Sequence, residues 1–192
     1  IQFGILLFLM AAGLTLVFGI MNFINLAHGE LVLLAAYMAY FTEARAGLNP
    51  YAAIPLALLA VLLVSWGLVF LVSRIKEHRE LNSLILTFAI GIILTNAILL
   101  VFTSDVRTTG SATLQDAVSL GDLFAMRGEI VAFFVSLLLM GFLWWWLKSS
   151  WYGRAVRAVS SNRDAARLMG INPARIETAS FLVAGTLAAF AG

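Results

Sequence analysis

Asn22-Phe23-Ile24-Asn25-Leu26-Ala27-His28-Gly29-Glu30 separates two apolar runs that lie too close together for an ordinary pair of membrane spans. Residues 1–27 carry no charge, and the run from Leu31 to Thr42 is again uncharged but only 12 residues long. A helix that crosses the hydrocarbon needs about 20 residues at about 1.5 Å each. The second run reaches across only if it begins inside the bilayer, so the polar stretch is expected at membrane depth. Polar groups there are costly and face a cavity or another helix. A broken helix carrying Asn, His and Glu is one way to build a route for solute. A tight hairpin outside the bilayer is the plainer alternative.

Composition fixes the class. Hydrophobic residues make up 62% of the chain and charged residues 11%, with a mean hydropathy of +0.99. Soluble domains carry roughly 25% charged residues. The apolar runs are continuous rather than alternating, which predicts an all-α polytopic membrane protein with a broken or re-entrant segment near residues 22–30. The net charge of +2 leaves no electrostatic footprint for nucleic acid. With no cysteine there is neither a disulfide framework nor a thiolate metal site. The chain begins with Ile1 without a basic leader and stops at Gly192 inside an apolar run. It is therefore expected to be the N-terminal part of a longer chain, cut within a helix, with residues 1–192 forming one transmembrane domain.

The membrane elements expected are Phe3 to Ile20, the short Glu30 to Thr42, Tyr51 to Val72, Leu81 to Phe102, Ile130 to Leu147, and Thr178 to Gly192. Trp144, Trp145 and Trp146 close the fifth and Tyr51 opens the third, as interfacial aromatics do. Ala184, Ala188 and Gly192 form a small-xxx-small series suited to helix packing. Arg74, Lys76 and Arg79 cluster after the third element, and Lys148, Arg154, Arg157, Arg163, Arg167 and Arg175 after the fifth. Two spans separate these loops, so both fall on one side, which the positive-inside rule makes cytoplasmic. The Glu43 to Pro50 loop and the Thr103 to Glu129 segment then face outward. The latter holds Asp105, Asp116 and Asp122 against Arg107 and Arg127. It reads as a solvated loop or as a docking surface for an external partner.

Residues 149–178 form the second informative stretch, a basic loop that reads as two short helices. Ser161 can cap the first, with Asp164 as its capping-box partner. Gly170 suits the left-handed position after that helix, and Asn172-Pro173 is an N-cap and first-turn pair for the next. Arg163 and Arg167 share a face, beside a small apolar surface of Ala165, Ala166, Leu168 and Met169. Such a helix docks in a partner's groove or lies on anionic headgroups of membrane lipid.

Asp164-Ala165-Ala166-x-x-x-Gly170 resembles the coupling loop of ABC importer permeases. The longer string Gly153-Arg154-Ala155-Val156-Arg157-Ala158 through Ala165-Ala166-Arg167-Leu168-Met169-Gly170-Ile171-Asn172 is similar to the permeases of branched-chain amino acid ABC importers. Phe18-Gly19-Ile20 with Asn22 to Glu30 resembles the subunit type of that family that carries an Asn-x-x-His-Gly-Glu segment. The motifs sit near opposite ends, so the resemblance covers the whole chain. Two departures are Asp164, where the family often has Glu, and Leu26, where a bulkier residue is commoner.

The resemblance implies a multi-pass permease of the bacterial inner membrane that is not itself an enzyme. It implies a second homologous permease subunit, two cytoplasmic ATPase subunits and an external solute-binding protein. It implies no cofactor on this chain, with ATP-Mg held by the ATPases. The sequence agrees on that point, having no Gly-x-x-x-x-Gly-Lys phosphate loop. Coupling to the ATPases falls by resemblance on Gly153, Arg154, Arg157, Arg163, Asp164, Ala165, Ala166, Gly170 and Ile171.

Candidate residues of the substrate pathway are Asn22, Asn25, His28, Glu30, Thr87 and Asn96. His28 and Glu30 are two apart and diverge on a helix, with no third ligand near, which argues against a metal site. Glu30 suits a helix start, where the dipole favours an anion. Asn22 and Asn25 hydrogen-bond exposed backbone at the break or contact solute directly. Thr87, Thr95 and Asn96 make interhelical hydrogen bonds or line the route. Within the family, urea or short amides are the alternative solutes. An ion-coupled secondary transporter would need more buried ionisable groups. An intramembrane hydrolase would need a nucleophile or further ligand beside His28 and Glu30.

Overall fold

The computed structural model describes residues 2–46, 50–102, 117–120 and 123–192. The helices are α1 (Gln2–Met21), α2 (His28–Ala46), α3 (Ile54–Arg74), α4 (Arg79–Phe102), α5 (Arg127–Ser149), α6 (Trp151–Ser161), α7 (Arg163–Leu168) and α8 (Pro173–Ala191). A 3-10 turn, Pro50–Ala53, leads into α3, so that helix starts later than Tyr51. Two short strands precede α5: β1 (Ala117–Leu120) pairs antiparallel with β2 (Leu123–Met126), Ala117 opposite Met126. Asp105, Arg107, Asp116 and Asp122, from the expected external segment, lie outside the described residues.

Five of these helices, α1, α3, α4, α5 and α8, are long and apolar enough to cross a membrane. The second run behaves differently, because Glu30, Glu43 and Arg45 fall within α2. The fold is the expected polytopic helical bundle, with α8 at its centre against α1, α2 and α3. Small residues allow that position. A Cβ on Gly185 would overlap the Ser65 side chain of α3, and one on Gly192 would overlap the Val32 carbonyl of α2. Ala184 and Ala188 are fully buried beside them. The outer helices α4 and α5 instead expose Ile93, Leu100, Phe134 and Leu138, the surface a bilayer covers.

The basic loop after α5 differs from its expected form. An additional helix, α6, precedes the other two and turns back sharply from α5. Ser150 caps it by accepting from the Gly153 N–H at 3.0 Å. The turn is so tight that a Cβ on Gly153 would collide with the Leu147 carbonyl. Arg157 donates to that same carbonyl at 2.8 Å and Arg154 to the Ser149 carbonyl at 3.1 Å. These arginines therefore satisfy the orphan acceptors at the end of α5, where the helix dipole also favours cations.

The α5–α6 corner is the place where a side chain cannot be added. Gly153→Val is expected to lower stability by about 1–3 kcal/mol, because a backbone carbonyl cannot rotate away. Gly141→Ala, in open space on α5, is expected to be neutral or slightly stabilising. Thermal unfolding of both variants in detergent checks the pair.

Candidate functional site

The chain between Met21 and His28 is neither helix nor a simple turn. α1 ends at Met21, and Asn22 takes φ +56, the left-handed region that Asn tolerates better than most residues. Its N–H donates to the Phe18 carbonyl at 3.0 Å, closing the helix. Asn22 lines a cavity with His78, Arg79 and Glu80, so α1 ends at the basic end of the bundle. The next residues are irregular, bending at Phe23 and turning through Leu26 and Ala27, and burial alternates along them. Phe23, Asn25 and Ala27 are buried, while Ile24 and Leu26 are each 41% exposed.

This run climbs back along α1. His28 Nε2 donates to the Met10 carbonyl at 3.2 Å, and Met10 is in the middle of α1. The rise from Met21 to Met10 needs about 16 Å. The helix that follows therefore starts halfway along a full-length span. The expectation of a re-entrant segment is met with one correction: Asn22 sits at the basic end, and only the later residues lie deeper.

Three successive N–H groups at the end of the break, those of Leu26, Ala27 and His28, have partners drawn from nearby. Asn25 is buried; its Oδ1 accepts from the Ala27 N–H at 3.1 Å and its carbonyl from the His28 N–H at 3.2 Å. Thr87, fully buried on α4, accepts from the Leu26 N–H at 3.2 Å while donating to the Leu84 carbonyl at 3.1 Å. His28 fits only because α1 offers Gly13, where a Cβ would stand 3.1 Å from the ring and 3.2 Å from the Ala184 carbonyl of α8. Its Nδ1 has no hydrogen-bond partner among the described residues.

Glu30 occupies the first turn of α2. It faces Gly91 at the middle of α4, where a Cβ would stand 3.4 Å from the carboxylate. One carboxylate oxygen, Oε2, is buried without a partner among the described residues. It borders a groove of about 170 Å³ lined by Leu26, Phe88, Gly91, Ile92, Thr95 and Asn96. Asn96 Nδ2 donates within its own helix to the Ile92 carbonyl at 2.7 Å. The six candidates thus separate. Glu30 and Asn96 share a groove, Asn25, His28 and Thr87 brace the break, and Asn22 ends α1. Among the described residues no group of three metal-ligating side chains comes together.

At the basic end, Asn162 rather than Ser161 caps α7, accepting from the N–H groups of Asp164 and Ala165 at 3.1 and 2.9 Å. Asn162 supplies the amide oxygen in the extended conformation a cap requires, while Ser161 is still inside α6. Gly170 has φ +80. Its N–H donates to the Arg167 carbonyl and that of Ile171 to Ala166, each at 3.0 Å, the Schellman closure. Asn172 caps α8 ahead of Pro173. Ala166 is buried inward, whereas Leu168 and Met169 are 90% and 82% exposed, and Ala165 is exposed beside them. The Asp164–Arg167 pair, at 3.8 Å and exposed, contributes little.

Glu177 was not among the residues singled out by sequence, yet it is 3% exposed and holds two arginines. Arg79 donates to both of its oxygens, at 3.3 and 2.8 Å, and Arg163 pairs with Oε1. Its signal was a lone acid just before the last apolar run. Gly13 and Gly91 were equally silent, since only the fold shows which side chains approach them.

A bundle in which a helix begins at mid-span beside buried Asn25 and His28 and half-buried Glu30 is the frame of a membrane permease. The whole chain, residues 1–192, matches the family described as branched-chain amino acid transport system / permease component, and it belongs to that family. It is 28% identical over 198 residues to the high-affinity branched-chain amino acid transport system permease protein BraD of Pseudomonas aeruginosa, covering 95% of this chain and 64% of the relative. It is 28% identical to LivH of Escherichia coli K12 over 96% of this chain and 64% of the relative. It is 30% identical to the probable permease LivH of Methanocaldococcus jannaschii over 97% of this chain and 61% of the relative. The chain thus spans just under two thirds of the length of these curated relatives. No solved structure matches it significantly.

The hydroxyl of Thr87 is the partner the break depends on. Thr87→Val is expected to cost about 1–3 kcal/mol, because the Leu26 N–H loses its acceptor in a buried setting. Thr87→Ser is expected to retain most of the stability. Denaturant unfolding of the full-length permease in detergent compares the two.

Proposed function

We propose that this chain forms the membrane route of an ATP-driven importer of branched-chain amino acids in the bacterial inner membrane. The single observation that carries the reading is the non-helical run from Asn22 to Ala27, which brings His28 to mid-span, with the Glu30 groove at its upper end. Leu26, Phe88 and Ile92 offer apolar walls for an aliphatic side chain. The free carboxylate oxygen of Glu30 suits an ammonium group. Asn25, His28 and Thr87 keep the backbone in place, Asn22 opens the lower cavity, and Asn96 lines the groove. The family membership and the names of the relatives support the solute class.

Energy enters from partners. Two cytoplasmic ATPase subunits hold ATP-Mg and seat on α7, where Ala165, Leu168 and Met169 present an apolar face flanked by Arg167 and Asp164. Gly170 and Ile171 close that helix. Gly153, Arg154 and Arg157 serve the coupling less directly, by fixing α6 to α5. A second homologous permease completes the route, and an external binding protein delivers the solute. This chain needs no cofactor of its own and catalyses no reaction. Nucleotide shifts the bundle between two states by binding one of them better.

Uptake by the full-length permease, reconstituted with its ATPases, second permease and binding protein, tests the reading. ATP-dependent uptake of leucine, isoleucine and valine is expected. Urea uptake without leucine uptake would overturn the solute and leave the importer class standing. Uptake driven by an ion gradient without ATP would overturn both.

A further inference from the structure

Glu177 is a carboxylate at the basic end that joins three elements. It lies on α8 in a position only 3% exposed. Arg79, the first residue of α4, grips it through two hydrogen bonds at 3.3 and 2.8 Å. Arg163, the first residue of α7, pairs with it from the other side. The two arginines are 84 residues apart (163 − 79) and belong to the two separate basic loops. A buried ion cluster is a weak source of net stability, since desolvation consumes most of the attraction. Its better-attested use is to fix register between elements. A bidentate guanidinium adds directional rigidity that a lone lysine would not.

Two further links extend from this cluster. α7 carries the exposed apolar face of Leu168 and Met169. Two turns beyond Arg79, α4 presents Thr87, which holds the Leu26 N–H of the break, and one turn further Gly91 faces Glu30. Helices behave as rigid rods over such distances, so a shift of α7 reaches Thr87 and Gly91 through α4 only if something ties α7 to α4. Glu177 is the tie. We propose that the Arg79–Glu177–Arg163 cluster is a positioning device that makes α7 and the start of α4 move as one body, transmitting displacement of α7 to the re-entrant break. The inference rests on the importer reading given above and names the internal linkage that reading requires.

The test uses the full-length permease in its complete complex in proteoliposomes. Glu177→Gln removes the charge with little change of shape. The complex is expected to assemble and hydrolyse ATP, while the ATP consumed per leucine imported rises about tenfold, within the range of ordinary allosteric couplings. Arg79→Gln and Arg163→Gln are expected to do the same, and the double variant to be no worse than either alone. Unchanged stoichiometry in an assembled Glu177→Gln complex would overturn the proposal. So would additive losses. A distance measurement covers variants that fail to assemble. In the otherwise native, cysteine-free chain, spin labels at Leu81→Cys and Ser161→Cys, both exposed and outside the apolar face of α7, are expected to keep one separation with and without nucleotide. A nucleotide-dependent change in that separation would also overturn it. Failure of the unaltered complex to import leucine would instead strike the importer reading.

Discussion

Backbone that leaves a helix inside a membrane must find its hydrogen bonds in the protein, because lipid offers none. The rest of this structure is arranged around that requirement at Asn22 to Ala27. A helix satisfies its own peptide groups, but an irregular run does not. Thr87 from α4 and the side chain and carbonyl of Asn25 take up N–H groups of the run. The Met10 carbonyl of α1 takes the imidazole that follows. Besides Asn25 of the break itself, these partners come from α4 and α1, so the break is held where those helices meet the start of α2.

Close meeting of those elements needs small residues. Gly13 admits the imidazole of His28 and Gly91 admits the carboxylate of Glu30. Ala184 and Gly185 let α8 pass between α1 and α3. The same logic recurs at the basic end, where Gly153 lets α6 press against the end of α5. The consequence for function is a polar, non-helical stretch held at mid-span by a packed frame. Such a frame has alternative packings rather than continuous flexibility, the property a two-state transporter uses.

Much of this was legible in the sequence. The short apolar run after Glu30 implied a helix that starts partway through a span, and α2 does so. Gly170 and Asn172-Pro173 announced a left-handed closure and a capped helix, both of which are present. The misses have physical causes. Ser161 and Asn162 are both good caps, and only the end of α6 decides between them. That Arg154 and Arg157 bond the carbonyls at the end of α5 was not legible, because no sequence pattern says that α6 folds back on α5. Glu177 was overlooked because its meaning depends on Arg79, 98 residues away in the chain. Pairings of that range are set by the tertiary fold and leave no local trace.

The central claim is that the chain returns to the middle of the span before α2 begins. Nitroxide depth measurement tests it most directly, with single labels at Leu26, at Ile92 near the middle of α4, and at Lys76 at the basic end, in the cysteine-free full-length protein in bilayers. The account predicts that the label at Leu26 reads nearly the same depth as that at Ile92, with high oxygen and low polar-reagent accessibility. A label at Leu26 that reads the headgroup depth of Lys76 would show an ordinary loop and contradict the account.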